Sequence, residues 1–183
     1  MRLQRDNTVL VIIDVQEKLM PVIDRTKDLL RNVERLLRGA HILGVPVLLT
    51  EQYVKGLGPT VESIRNAFDE TSGYRPIEKA CFSAHGCEPF AAQLAALERR
   101  QIVVAGVETH VCVYQTVTDL VAAKLDVTLV ADAVSSRTPE NREIALRRMT
   151  SDGANLSSTE MVLFELLGVS ATDEFRAISR LIK

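Results

Sequence analysis

The chain has 183 residues, three of them cysteine, and its 22 basic and 24 acidic side chains leave a formal net charge of −2. A chain of this length buries about 70% of its unfolded surface without staples, so a single domain over residues 1–183 is expected. Interspersed charges give no electrostatic footprint for nucleic acid or an anionic membrane, and an odd cysteine count without a C-x-x-C pair argues against disulfide scaffolds and zinc ribbons and for a reducing, cytoplasmic setting.

The N-terminal segment MRLQRDNTVLVIID is too briefly apolar for a signal peptide core, and no stretch approaches a membrane-spanning length. Val9 to Ile13 is a continuous apolar run ended by Asp14, the pattern of a central parallel strand with a carboxylate at its C-terminal edge. Leu29, Leu30, Val33, Leu36 and Leu37 recur at helical spacing, with Gly39 or Gly44 near the end. Pro46 opens a second strand, Val47 to Thr50, and the polar, glycine-rich stretch from Glu51 to Thr60 reads as a loop.

A short helix near Val61 to Phe68 precedes a short strand ending at Lys79, and Pro89 suits the first turn of a helix carrying Phe90, Leu94 and Leu97 inward. Ile102 to Ala105 is a β-branched strand, and Gly106 permits a tight exit from it. With Thr109 as N-cap, Cys112 falls at the third helical position, where free N–H groups and the macrodipole favour a thiolate. Val127 to Val130 is a further strand, Thr138-Pro139 caps a helix that runs to Gly153, Asn155 to Ser157 is a last short strand, and Thr159 to Leu167 and Thr172 to Ile182 are closing helices.

Alternating strands and helices imply an α/β fold, a three-layer α/β/α sandwich with a mostly parallel, Rossmann-like sheet and right-handed crossovers. Ligands in such folds sit at the C-terminal strand edge. Asp14, Lys79 and Cys112 all follow predicted strands, so one architecture brings an acid, a base and a thiol from distant positions to one crevice. A cysteine hydrolase needs a thiolate, a group to handle its proton and donors for an oxyanion, and Lys79 together with the helix end would lower the thiol pKa. Gly56-Leu57-Gly58 begins like a dinucleotide fingerprint, but Pro59 and Val61 break it, and no cofactor is expected. His110 neighbours Cys112, yet adjacent helical positions diverge, so pocket lining or a structural hydrogen bond is expected of it.

Asp14-Val15-Gln16, Glu78-Lys79 and Gly106 to Val113 resemble the isochorismatase-like cysteine hydrolases over nearly the whole chain. Thr50-Glu51-Gln52-Tyr53, Lys55-Gly56-Leu57-Gly58 and Val130 to Arg137 are similar to the isochorismatase domain-containing branch. That resemblance implies a catalytic triad of Asp14, Lys79 and Cys112, a cis peptide between Val107 and Glu108, and an oxyanion hole from the backbone N–H groups of Glu108 and Cys112. It further implies attack on a carbonyl, loss of ammonia or an amine, a thioester on Cys112 and hydrolysis by water, usually in a homo-oligomer.

Nicotinamidases of the family carry an Asp-x-His metal pair after the second strand where this chain has Glu51-Gln52-Tyr53. His41, His85 and His110 share no ligand spacing, so no catalytic metal is expected. Leu19 replaces the aromatic residue that would stack on a pyridine ring. Gln16, Leu19, Tyr53, Phe82 and His110 are candidate substrate-binding residues from their proximity to the motifs. The expected activity is metal-independent hydrolysis of a small amide-like or related carbonyl compound. The alternatives are a catalytically idle binding or assembly protein on the same fold and a nicotinamidase-type amidase.

Overall fold

The computed structural model describes residues 2–183. Six strands form one sheet: β1 (Thr8–Ile13), β2 (Val47–Gln52), β3 (Ile77–Lys79), β4 (Gln101–Val107), β5 (Asp126–Ser135) and β6 (Asn155–Ser157). Their order is β3-β2-β1-β4-β5-β6 and every pairing is parallel. The helices are α1 (Thr26–Ile42), α2 (Val54–Leu57), α3 (Glu62–Asp69), α4 (Glu88–Ala96), α5 (Tyr114–Ala122), α6 (Pro139–Ser151), α7 (Thr159–Leu167) and α8 (Asp173–Ile182).

β1 reads as an unbroken apolar run because both of its faces are covered. Leu10 and Ile12 join one core with Leu36, Phe68, Leu163 and Ile178, whereas Val9, Val11 and Ile13 join another with Phe90, Leu120 and Met149. Thus α1, α3, α7 and α8 cover one face of the sheet and α4, α5 and α6 the other. Among the described residues no helix is long and apolar enough to cross a membrane.

Strand order reverses between β1 and β4, so a crevice opens beyond their C-terminal ends. The expected loop from Glu51 to Thr60 contains the short helix α2, and β2 continues to Gln52 because β3 pairs alongside Thr50, Glu51 and Gln52. β5 likewise runs past Val130 to Ser135, because Val134 and Ser135 re-pair with Gly106 and Val107 after a register shift in β4. Gly39 lies inside α1 and does not end it. Thr138 caps α6 as the sequence suggests, accepting from the Asn141 N–H at 3.3 Å.

Candidate active site

Asp14 follows β1 directly and holds a left-handed backbone, φ 52°, an uncommon state for a residue with a Cβ that is often found at functional sites. Its N–H donates to Thr50 O at 3.1 Å, which fixes the turn against the end of β2. The carboxylate is fully buried and divided between two donors: Thr50 Oγ1 donates to Oδ1 at 2.7 Å, and Lys79 Nζ to Oδ2 at 2.7 Å. Lys79, the last residue of β3, reaches across the end of β2. Its ammonium also donates to Gln52 Oε1 at 2.7 Å and to the carbonyls of Phe82 at 3.2 Å and Cys81 at 3.3 Å. A charged pair without solvent exposure is tolerable only when its remaining donors and acceptors are met, and here four oxygens surround three N–H bonds.

Cys112 comes from the other side of the crevice, where β4 packs so closely on β1 that only glycine fits at its exit. A Cβ on Gly106 would lie 2.1 Å from Ile13 O, and its φ is 118°. The next peptide, Val107–Glu108, is cis, and the chain then makes one π-helical turn, Thr109–Val113, before α5. Glu108 donates no backbone hydrogen bond among the described residues, while its carbonyl accepts from Val111 and Val113. Cys112 is 7% exposed at the base of this turn.

Two expectations about this turn are corrected. Thr109 is not the N-cap: Glu108 occupies that position without a side-chain cap bond, and the Thr109 hydroxyl is buried without a partner among the described residues. The turn therefore starts one residue earlier, and Cys112 sits at its fourth position. Nor is the thiol pKa depressed in the free site. Burial first, and then the negative charge of Asp14, push it up to about 12, outweighing the opposing pull of Lys79. Lys79 is already matched by Asp14, so the cation that was expected to favour a thiolate arrives with its counter-ion.

The Cys112 turn is tied to the connection after β3 by a buried hydroxyl. Thr116 Oγ1 donates to Cys112 O at 2.7 Å and accepts from the Ala84 N–H at 2.8 Å, and nearby Ser83 Oγ donates to Asp119 Oδ2 at 2.6 Å. Sequence reasoning missed Thr50, Gln52 and Thr116 as parts of the site, since none carries a charge and Thr50 and Gln52 act through partners distant in the chain.

The five substrate-binding candidates separate clearly. Gln16 is fully buried and wholly committed, its amide donating to Gln52 O at 2.9 Å and Gly58 O at 2.7 Å and accepting from the Gln52 N–H at 2.7 Å; it secures the loop rather than lining a pocket. Leu19 is half-buried and packs against the core on the α1 side of the sheet. Tyr53 and Phe82 are exposed, on the connections that follow β2 and β3. Tyr53 edges an open cleft of about 380 Å³ shared with Val54, Lys55 and the segment Glu78–Ala80. His110 is half-buried, with Nδ1 3.0 Å from Ser136 Oγ, the structural hydrogen bond its position suggested.

The Glu51 carboxylate, where nicotinamidases would start a metal pair, accepts from the Thr60 N–H at 2.6 Å, from Thr60 Oγ1 at 2.7 Å and from the Tyr74 hydroxyl. Among the described residues no group of three His, Cys, Asp or Glu side chains is arranged to hold a metal ion.

A parallel sheet in this order, with the Asp14, Lys79 and Cys112 side chains brought together at its switch point, defines an α/β domain with its candidate site at the C-terminal strand edge. The isochorismatase domain matches residues 8–161, and the chain belongs to the isochorismatase family. Isochorismatase domain-containing protein 1 of Salmo salar is 40% identical over 176 residues, covering 96% of this chain and 61% of the salmon protein. This chain thus spans less than two thirds of that relative's length. Among solved structures, one described as MAR1 ribonuclease from Caenorhabditis elegans has a TM-score of 0.91 at 34% identity, covering 100% of this chain and 92% of the other. YcaC from Pseudomonas aeruginosa, described with hexane-2,5-diol and covalent acrylamide, has a TM-score of 0.88 at 26% identity, covering 99% and 95%.

Proposed function

We propose that this chain is a cysteine hydrolase of a small amide-like or related carbonyl compound, with Cys112 as nucleophile, Asp14 as proton carrier and Lys79 as buried counter-charge. The observation that carries this reading is the fully buried Lys79–Asp14 pair at 2.7 Å, close enough to Cys112 for both charges to act on its ionisation. With the thiol pKa at about 12, a standing thiolate is scarce at neutral pH, so the proton has to leave as the sulfur attacks. Asp14 takes that proton while Sγ bonds to the substrate carbonyl carbon. The N–H groups of Glu108 and Cys112 receive the oxyanion.

Collapse of the intermediate breaks the C–N bond, and Asp14 returns the proton to the departing nitrogen. The thioester that remains on Cys112 is attacked by water, whose proton passes to Asp14. The C–S bond then breaks and the thiol recovers its proton as the acid leaves. No step needs a metal, because the developing charge is met by backbone donors and by Lys79.

Tyr53 and Phe82 at the rim supply flat apolar surface, which suits a small organic substrate. RNA, which the nematode relative's description suggests, would need a basic groove, and the balanced charge of this chain favours the small-molecule reading. The test is incubation with a panel of small amides followed by intact-mass measurement. An acyl adduct on Cys112 with release of ammonia or amine supports a hydrolase. No adduct and no turnover with any member supports an idle binding protein, and activity abolished by a chelator supports a metal-dependent nicotinamidase.

A further inference from the structure

β2 ends in Thr50-Glu51-Gln52, an alternation that sends neighbouring side chains to opposite sides of the sheet. Glu51 turns to Thr60 and Tyr74, while Thr50 and Gln52 share the side of the buried pair. Thr50 Oγ1 donates to Asp14 at 2.7 Å, and Gln52 Oε1 accepts from Lys79 at 2.7 Å. Gln52 stands in register with Lys79 across the parallel strands β2 and β3, so the two side chains leave adjacent strands in the same direction. Its amide is held from several sides. Nε2 donates to Ala80 O at 2.8 Å, which turns Oε1 toward the ammonium. The Gln52 main chain is gripped by the buried Gln16 amide, through its N–H at 2.7 Å and its carbonyl at 2.9 Å. Gln16 lies two residues after Asp14, so Asp14, Gln16, Gln52 and Lys79 close a ring of contacts across the ends of three strands.

We propose that Gln52 is a positioning residue that keeps the Lys79 ammonium beside Cys112 while Asp14 carries the thiol proton, a role that rests on Asp14 and Lys79 serving Cys112. Asp14 Oδ2 and Gln52 Oε1, both at 2.7 Å, are the shortest contacts of the ammonium among the described residues. The carbonyls of Phe82 and Cys81 lie farther away, at 3.2 and 3.3 Å. When Asp14 takes the proton it becomes a neutral carboxyl, and its attraction for Lys79 falls. Gln52 is then the short acceptor whose strength is unchanged.

An uncharged acceptor suits this role better than a carboxylate. Glutamate at the same place would compete with Asp14 for the cation and add negative charge near a thiol whose ionisation Asp14 already opposes. An apolar side chain would leave the ammonium to the two distant carbonyls. Lys79 favours ionisation of Cys112, so a Lys79 drawn toward Cys81 O and Phe82 O leaves that thiol less reactive.

The test is Gln52→Met, which removes the oxygen at similar length, read by the rate at which iodoacetamide alkylates Cys112. The tryptic peptide of residues 101–124 holds Cys112 as its only cysteine, so it reports that thiol alone. Alkylation is expected to be at least about tenfold slower than in the parent, the scale of one lost hydrogen bond to a charged group. Because the effect runs through Lys79, the same substitution made in D14N/K79M should change the rate by less than about twofold, a non-additivity that a purely structural role would not produce. Gln52→Asn, whose amide ends one methylene short of the ammonium, repeats the comparison if the methionine version does not fold. An unchanged rate in the folded Gln52 variant, or equal slowing with and without Lys79, overturns the proposal. Iodoacetamide is not a substrate, so a failure to hydrolyse amides would count against the hydrolase reading and leave the Gln52 result intact.

Discussion

Replacing Lys79 with methionine removes the cation from a pair in which neither side chain meets solvent. Asp14 keeps only the Thr50 hydroxyl as a side-chain donor, at 2.7 Å, and its second oxygen is left with nothing. Breaking a buried pair in this way typically costs about 3–5 kcal/mol, because the remaining charge stays desolvated and unmatched. For a domain of this size that corresponds to a fall in melting temperature of roughly 6–20 °C. Adding Asp14→Asn removes the stranded charge, so the D14N/K79M double variant should recover more than half of the deficit, a coupling that urea denaturation at pH 7 measures directly. A single variant within about 1 kcal/mol of the parent, or a double variant no better than the sum of its singles, would refute the claim that these groups are a mutually compensating buried pair.

Three further outcomes follow from the same geometry. The Cys112 thiol, pushed up to about 12, stays neutral in the fold, whereas an unfolded thiol ionises near ~8.5; its contribution to stability is fully present below the lower value and lost as pH climbs toward the higher, so the alkaline decline in melting temperature should be shallower in C112A. Thr116→Val leaves Cys112 O and the Ala84 N–H without their shared hydroxyl, which should cost about 1–3 kcal/mol in chemical denaturation and slow adduct formation on Cys112, with Thr116→Ser restoring both. Gly106→Ala forces a methyl group into Ile13 O at a positive φ and should destabilise by roughly 3 kcal/mol or more, seen as a lower denaturation midpoint.

Much of the architecture was legible because periodicity reports burial. The apolar run of β1, the Thr138-Pro139 cap and the three strand-end positions of Asp14, Lys79 and Cys112 depend on local patterning that the sheet then assembles. What escaped was decided by partners far along the chain. Gln16 looked available beside a motif, but three hydrogen bonds to Gln52 and Gly58 consume it, and those residues lie on a different connection. Leu19 is packed against the core for a similar reason. The start of the Cys112 turn depends on how β4 leaves the sheet past Ile13, which no capping pattern around Thr109 encodes.

The sign of the thiol shift was misjudged because a nearby lysine was considered without its counter-ion. Burial and Asp14 together outweigh Lys79, which moves the argument from a standing thiolate to proton transfer during attack. Thr116 carried no signal in the sequence beyond being a hydroxyl one turn after the cysteine.

The central claim is that Cys112 attacks the substrate and Asp14 receives its proton. Intact-mass and peptide analysis of protein quenched in acid during incubation with a panel of small amides tests it directly. The expected result is an acyl group on Cys112 that accumulates in the parent, is absent from Cys112→Ser and forms at least about a hundredfold more slowly in Asp14→Asn. Amide hydrolysis by the Cys112→Ser protein at the parent rate, or an acyl adduct that forms equally fast without the Asp14 carboxylate, would contradict it.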